Sequence, residues 1–479
     1  MRPWLANRLR VVTGQFVAPS QPYMSLNRVL HYRFRLACCC AGAIAVFFLL
    51  AANVLAQEVI GATDPAATSA PSPQSGIEMA SSSPTLNPAV DSNLNPTTDL
   101  RNEVTAEPRR FQYGVKVTMR GVYDDNINLS QTARVSDYYF TIEPVLTLGL
   151  GDILGHEDNY IRLDYAPSLF LFADHSENDA VQHLIHLEGQ HRFARLTLTL
   201  GEEIAILDGT DLQTLSDANS PGSHPNLDVS GRTRFQTYNT RIGASYDLTG
   251  KTFLSSGVDS LVTEYNSANL FSSQMFSGNL FVNYRYSEKI VIGVGGTGGV
   301  DFVDNPNPDQ TFEQANVRAS YQATGKIAFN FSGGVEFRQF ENNSRSEYIS
   351  PVFELSAIYQ PFDGTSVTLA GSRRTFNSGV LAGQDFAGTT ITASLRQRLL
   401  QRFYVGVSGG YQNSDYFSTV SGVAANRQDN YYFIEPTLDF SITRFWTVGG
   451  YYLHRRNDSS FQSFSFDDNQ VGIRTGLTF

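Results

Sequence analysis

Two acidic clusters are the first groups in this sequence whose residue types could bind a ligand. Asp124-Asp125-Asn126 and Asp467-Asp468-Asn469 each place carboxylate and amide oxygens side by side. Ca²⁺ takes about six to eight oxygen ligands, most of them from such groups. The alternative is that both clusters are solvated turn residues, a common role of Asp and Asn. The candidate Ca²⁺ ligands predicted here are Asp124, Asp125, Asp467 and Asp468.

Further aspartates belong to the longest polar segment of the chain, residues 209–231, and to its edge. A loop of this kind that folded into a pore would narrow it, and its carboxylates would disfavour anions by like-charge repulsion. The alternative is an exposed, mobile loop. The predicted constriction residues are Asp208, Asp211, Asp217 and Asp228.

Catalytic patterns are absent from the sequence. It contains no phosphate-binding glycine loop, nucleophile elbow or zinc-protease motif. His183 and His186 share a predicted strand but point to opposite faces, so they cannot chelate one metal together. We therefore expect no enzymatic activity, no cofactor and no catalytic residues.

Composition excludes several classes of protein. The net charge of -11, the pI of about 5.2 and the 35 Lys and Arg argue against nucleic-acid binding. The 23 Tyr and 33 Phe are too many for a disordered chain. Because the sequence has one long apolar run, it does not encode a multi-spanning helical membrane protein.

That apolar run, Leu36 to Ala52, follows three arginines and precedes small residues, which predicts a signal peptide over residues 1–56. We expect cleavage between Ala56 and Gln57, and residues 1–23 could be an extension ahead of a true start at Met24. An N-terminal membrane anchor is the alternative. The leader holds all three cysteines and six arginines, so the mature chain would have no cysteine and 29 basic against 46 acidic residues, a net charge of -17.

The mature chain divides into two parts. Residues 57–108 are rich in Ala, Ser, Pro and Thr without apolar periodicity, which predicts a disordered periplasmic linker. Residues 109–479 alternate apolar and polar side chains with period two. In the last strand, for example, Ile473, Thr475 and Leu477 face one way and Arg474 the other.

The repeated alternation over ten or more residues matches strands that cross a bilayer at a tilt. Short turns and long polar segments also alternate along the chain. We predict one closed antiparallel transmembrane β-barrel of 18 strands, with 16 the next choice, because a sheet in lipid must close on itself to pair every backbone group. The charged residues expected to face the lumen are Arg162, Arg241, Arg318, Arg338, Arg396, Arg398, Glu435 and Arg474.

The C-terminal Phe479 ends an amphipathic strand, a pattern that resembles the assembly signal of bacterial outer-membrane barrels. We therefore expect the barrel assembly machinery, outer-membrane lipid and lipopolysaccharide as partners, with the bacterial outer membrane as the location. The acidic rim clusters could contact lipopolysaccharide through divalent cations.

Residues Gly121 to Ile127, followed by Ser136-Asp137 and Ile142-Glu143-Pro144, resemble the start of the β-barrel porin 2 family. The resemblance extends over about residues 111–479, with specific motifs mainly in the first two strands. It implies an outer-membrane barrel that is often associated with exopolysaccharide or capsule loci, and hence polysaccharide or its export apparatus as a partner. It transfers no functional residues.

The function predicted from the sequence is a porin-like channel, a passive conduit for a polar solute that is plausibly linked to exopolysaccharide export. The alternative is a structural or adhesive barrel that transports nothing and whose long loops bind a surface partner.

Overall fold

The structure, a computed structural model, describes residues 111–151, 153, 159–209, 228–229, 231–341, 347–362 and 364–479. The predicted leader, cleavage site and linker lie outside these residues. The strands are β1 Phe111–Asp124, β2 Asp137–Gly151, β3 Tyr160–Phe172, β4 Ala180–Arg192, β5 Leu196–Gly209, β6 Thr233–Asp247, β7 Thr252–Tyr265, β8 Ser273–Ser287, β9 Ile290–Val303, β10 Gln310–Thr324, β11 Ile327–Phe340, β12 Tyr348–Tyr359, β13 Thr365–Asn377, β14 Gln384–Leu399, β15 Phe403–Ser418, β16 Gln428–Ser441, β17 Trp446–Ser459 and β18 Phe466–Thr478.

Each strand pairs antiparallel with its neighbours in sequence, and the last pairs with the first. At this seam Lys116 of β1 faces Thr478 of β18, and Asp124 faces Gln470. The amide of Phe479 donates to the carbonyl of Val115 at 2.8 Å, which extends the seam to the C-terminus. The predicted all-β, closed 18-stranded barrel is therefore confirmed.

The strands present two different faces because successive side chains alternate in direction. Along β18, Val471 and Ile473 are exposed on the outside, while Asp468 and Gln470 are buried inside. The same alternation runs through β10, where Val317 is outside and Arg318 inside. The outside of the barrel is thus a continuous apolar surface, which lipid covers in a membrane.

Aromatic side chains lie at both ends of this apolar surface. Tyr123 and Tyr138 are exposed on adjacent strands at one end, with ring centroids 4.9 Å apart. Tyr286, Tyr359 and Trp446 are exposed at the other end. Rings with a polar tip suit the membrane–water interface, so the two sets have the positions of interfacial girdles.

The two ends of the barrel differ in their connections. The connections that precede odd-numbered strands are mostly short, such as residues 193–195, 288–289 and 325–326; we call this end the turn end. The connections that follow odd-numbered strands are mostly longer, such as residues 125–136 and 210–232; we call this end the outer end. Within the described residues, no helix has the length and hydropathy needed to cross a membrane.

Two strands extend further toward the outer end than the sequence pattern predicts. The alternation indicates strands at 387–399 and 402–414, whereas β14 begins at Gln384 and β15 ends at Ser418. The added part of β14 contains polar and charged side chains, Gln384 and Asp385, and hydropathy assigns such residues to loops. In the structure these side chains are buried inside the barrel and the backbone keeps its ladder.

Candidate functional site

The inner face of the barrel is polar and carries charges of both signs. The eight residues predicted to face the lumen all lie on the strand positions opposite the exposed apolar side chains: Arg162, Arg241, Arg318, Arg338, Arg396, Arg398, Glu435 and Arg474. They are therefore directed toward the inside of the barrel rather than toward lipid.

Many inner-face charges form pairs between nearby strands. Arg474 of β18 donates to both oxygens of Asp439 of β16, at 2.9 and 3.0 Å. Arg285 of β8 binds Asp247 of β6 at 2.8 Å. Each pair has one strand between its members. Gly449 of β17 leaves room for the first pair, since a Cβ there would clash with the Asp439 carboxylate. In the second pair the Arg285 guanidinium lies over the Phe253 ring of β7, 4.4 Å from its centroid. The inner wall therefore carries alternating, largely compensated charge rather than a field of one sign.

Arginine side chains also lie over aromatic rings on this face. The guanidinium of Arg318 is 4.2 Å from the ring centroid of Phe281. The strand between them, β9, contributes Gly295, and a Cβ at this position would come within 2.5 Å of the Phe281 ring. Glycine is thus required for the ring to lie flat against the wall, and the flat ring in turn supports the arginine by a cation–π contact. This packing of a ring against a glycine accounts for part of the high Gly and Phe content of the chain.

A buried network joins β9, β10 and β11 to β13 and β14 near the outer end. Gln310 donates to Asp385 at 2.8 Å, and Asn377 donates to Asp301 at 2.7 Å. Arg338 donates to the Gln310 side-chain oxygen at 2.7 Å and pairs with Glu336. These contacts connect strands that are not neighbours in the sheet, so the side chains cross the inner space and fill this sector of the lumen.

An apolar cluster fills a second sector at the same end. The connection after β1, residues 125–136 (L1), directs Ile127 and Leu129 into the barrel, where both are buried. They belong to a cluster of inward aromatic and aliphatic residues that includes Tyr139, Phe172 and Tyr431. Burial of these groups away from water stabilises L1 in its inward position.

Asp228, near the end of the connection between β5 and β6 (residues 210–232, L3), contacts the opposite wall. One carboxylate oxygen accepts from Tyr416 at 2.7 Å and from Arg427 at 3.1 Å. The other accepts from the Ser378 hydroxyl at 2.9 Å and from the Gly379 amide at 2.6 Å. In the 18-stranded ring, β6 and β15 are nine strands apart and face each other. Asp228 therefore anchors the end of L3 across the lumen.

The electrostatics of this anchor depend on the basic partner. Burial raises the pKa of Asp228 above the ordinary aspartate range, and Arg427 opposes that effect. The Arg427 guanidinium also binds Asp429 at 2.6 Å, so one buried cation serves two buried carboxylates. Removal of Arg427 would leave both carboxylates without a countercharge in a site that excludes water.

Burial of inner-face charges changes along the barrel axis. Toward the turn end, the side chains of Asp247, Arg162 and Arg285 keep 35%, 26% and 21% of their surface exposed. Toward the outer end, Arg338 and Arg427 keep 2% and 0%. The described lumen is therefore wet at its turn end and narrowed by loops and side chains at its outer end.

Two of the four predicted constriction residues fall within the described structure. Asp208, at the outer end of β5, lines a small pocket together with Asp124, Arg232 and Arg455. Asp228 is the L3 anchor described above, so its charge is compensated by Arg427 rather than presented to a solute. Asp211 and Asp217 lie outside the described residues, and the acidic constriction stays a prediction.

Three of the four predicted Ca²⁺ ligands come together at the outer end of the β1–β18 seam. Carboxylate oxygens of Asp124, Asp125 and Asp468 all lie within 4.8 Å of one another. Asp467 is not part of this group. It precedes Asp468 within β18, so the strand pleat directs it to the other face.

Sequence reasoning missed the residues that hold the outer end together. Arg427, Ser378, Gln310 and Asn377 sit near strand ends, in segments of ordinary loop composition. One signal was available, because Arg427 is the single charged residue between Tyr416 and Gln428. The remaining contacts join residues as far apart as Asp228 and Arg427, which no local pattern predicts.

Comparisons with known proteins give distant structural likeness. No family model matches the chain, and no curated protein does. OccK2 (OpdF) of Pseudomonas aeruginosa in complex with glucuronate is 12% identical, with 77% of this chain and 98% of that chain covered and a TM-score of 0.40. The outer membrane protein opdK of the same organism is 11% identical, with 77% and 99% covered and a TM-score of 0.38. OccAB4 of Acinetobacter baumannii is 8% identical, with 77% and 98% covered and a TM-score of 0.37.

The barrel itself establishes where the chain resides. A closed antiparallel ring leaves no unpaired sheet edge, its outer surface is apolar between two aromatic girdles, and its inner surface is charged. In water this apolar outer surface would be exposed, whereas the hydrocarbon chains of a bilayer bury it. The protein is an integral β-barrel of the bacterial outer membrane.

Proposed function

We propose that the barrel is a porin-like channel through which a polar solute diffuses without chemical change. The observation that carries this proposal is the gradient along the inner face. Partly exposed, mixed charges such as Arg162 and Asp247 line the turn end, whereas charged side chains such as Arg338 and Arg427 are buried at the outer end. A barrel that served only as a scaffold would not need a hydrated, charged inner face along half its length.

The chemistry of the wall favours a polar solute with little net charge. Within each of the pairs Arg474–Asp439 and Arg285–Asp247 the positive and negative charges compensate each other. A permeating anion or cation therefore meets no long stretch of wall that carries charge of one sign. A link to exopolysaccharide export follows from the resemblance to the β-barrel porin 2 family, and saccharides are therefore the first solutes to test.

The test is conductance of the refolded mature chain in planar lipid bilayers. We expect discrete open-channel steps, reversible block by oligosaccharides, and a weak cation preference in a KCl gradient because of the acidic residues near L3. Asp208→Asn should reduce that preference, while Asp174→Asn, on the exposed connection between β3 and β4, should leave it unchanged. Anion preference in the wild type, or no effect of Asp208→Asn, would remove the acidic constriction from the proposal.

The competing function has a distinct result. A structural or adhesive barrel would give no conductance steps over a wide voltage range, and liposomes that contain it would exclude small sugars. That combined result, obtained with protein shown to be folded by its heat-modifiable migration, would overturn the channel proposal.

A further inference from the structure

The acidic group at the outer end of the β1–β18 seam combines residues from the first and last strands. Asp124 ends β1 and Asp125 follows it, while Asp468 is in β18, more than 340 residues later. Their carboxylate oxygens lie within 4.8 Å of one another. Because β1 stops at Asp124, the chain turns there, which lets two consecutive aspartates contribute to one site.

Hydrogen bonds orient these carboxylates. Asp124 accepts from the backbone N–H of Asn126 at 2.8 Å and from the side-chain nitrogen of Gln470 at 2.9 Å. Asp125 accepts from the backbone and side-chain nitrogens of Asn469, both at 2.8 Å. The acidic side chains are thus fixed by groups on both strands of the seam, and the cluster is pre-formed rather than a set of mobile surface residues.

Asp468 supplies an independent observation that points to a ligand at this cluster. Its side chain is fully buried, and one oxygen, Oδ2, pairs with Arg455. Among the described residues no donor lies within hydrogen-bonding distance of the other oxygen, Oδ1. A buried carboxylate oxygen without a partner destabilises the fold, so such an atom usually marks a ligand, a water or a proton.

Charge adds to the same conclusion. Asp124 and Asp468 face one another closely enough to interact directly, and Asp125 brings a third carboxylate to the group. Arg455 is the basic side chain paired with Asp468. Three adjacent carboxylates repel one another, and a bound cation or a shared proton would relieve that repulsion.

We propose that Asp124, Asp125 and Asp468 form a Ca²⁺ site that closes the barrel seam at its outer end. The available ligands are all oxygens, which selects a hard cation, and Ca²⁺ tolerates a ligand set of uneven geometry completed by water better than Mg²⁺ does. Bound there, the ion links the first strand to the last. Ca²⁺ binding and channel conductance are measured separately, so a failure of the Ca²⁺ site would leave the channel proposal untouched.

The experiment uses the mature barrel refolded in detergent micelles from inclusion bodies, which avoids lipopolysaccharide and its own bound cations. After EDTA treatment and removal of the chelator, CaCl₂ is titrated by isothermal calorimetry and the melting temperature is followed in parallel. We expect one Ca²⁺ per barrel and a rise in melting temperature with Ca²⁺ concentration, because a ligand that binds only the folded state stabilises it.

Two variants and one matched control locate the site. Asp468→Asn and Asp124→Asn should each weaken Ca²⁺ binding at least ~10-fold, the lower end of what loss of groups around a metal usually produces. Asp467→Asn makes the same chemical change at the same rim but outside the cluster, and it should bind Ca²⁺ like the wild type. Heat-modifiable migration reports folding of each variant, and Asp124→Asn serves if Asp468→Asn does not fold.

Three results would overturn the proposal. The first is a wild-type barrel that neither binds Ca²⁺ nor changes its melting temperature. The second is equal weakening in Asp467→Asn and Asp468→Asn, which would mean diffuse surface binding. The third is a melting temperature that depends on pH and not on Ca²⁺, with that pH dependence removed by Asp468→Asn, which would show that a proton alone bridges the carboxylates.

Discussion

Arg427→Met should release the anchor that holds L3 across the lumen. The guanidinium is fully buried, donates to Asp228 and Asp429, and lies 3.5 Å from the ring centroid of Phe464. Methionine keeps much of the side-chain length and its apolar contacts. The substitution therefore removes mainly the charge and the hydrogen bonds.

The magnitude follows from what remains after the change. Asp228 and Asp429 are almost fully buried, and their nearest countercharge would be gone. Breaking a buried ion pair by removing one partner typically lowers the free energy of unfolding by about 3–5 kcal/mol. Asp228 retains its bonds from Ser378 and Tyr416, so we expect a value near the lower limit, about 3 kcal/mol.

Two assays measure different consequences of the Arg427→Met substitution. Urea unfolding in micelles reports the loss of stability. Single-channel recording reports the geometry of the outer end, where we expect larger or noisier conductance steps because L3 no longer reaches the opposite wall. The control is Arg456→Met, since Arg456 pairs with Asp458 at 2.8 Å on the same end but keeps 45% of its side chain exposed. Solvent screens that pair, and its loss should be hard to measure.

The reasoning would be refuted if Arg427→Met and Arg456→Met had the same stability and the same conductance as the wild type. A double variant gives a further check. Asp228→Asn combined with Arg427→Met removes the stranded carboxylate of the anchor, so it should be more stable than Arg427→Met alone. If the changes in the free energy of unfolding caused by the two substitutions were strictly additive, the two residues would not interact.

Two other substitutions test the packing of the inner face. Gly295→Ala should lower the free energy of unfolding by about 1–3 kcal/mol, because a Cβ there would lie 2.5 Å from the Phe281 ring. The control is Gly298→Ala in the same strand, where a Cβ would meet nothing closer than 3.9 Å, so the substitution should have little effect on stability. Equal urea midpoints for these two variants would contradict the role of the flat ring. Arg338→Met should lower the free energy of unfolding by about 3–5 kcal/mol, because it leaves buried carboxylates without a countercharge. Arg374→Met should lower it far less, because the Arg374 side chain is more exposed. The opposite order in urea unfolding would exclude the buried network as a source of stability.

The sequence alone predicted the barrel because its information is local. Period-two alternation assigns Ile473 to lipid and Arg474 to the lumen without any knowledge of their neighbours. Closure then follows from the requirement that backbone groups in lipid be paired within the protein. The meeting of Asp124 with Asp468 could be predicted for the same reason, since a closed ring must join its first strand to its last.

Strand ends near the outer mouth could not be read correctly from local pattern. Gln384 and Asp385 look like loop residues, yet they are buried residues of β14. Hydropathy assumes that buried side chains are apolar. Inside this barrel a polar side chain can be buried when another strand supplies its hydrogen-bond partner, and that partner is visible only in three dimensions.

The sequence by itself determined the class of fold, the number of strands and the direction of their side chains, because each depends on residues two positions apart or on closure of one sheet. Only the tertiary structure decided how the outer end is filled. Asp228 meets Arg427 across the ring, Gln310 meets Asp385 across several strands, and Asp467 is excluded from the rim cluster that Asp468 joins. These contacts depend on how far loops and long side chains reach into the lumen, and a one-dimensional pattern of polarity contains no such distance.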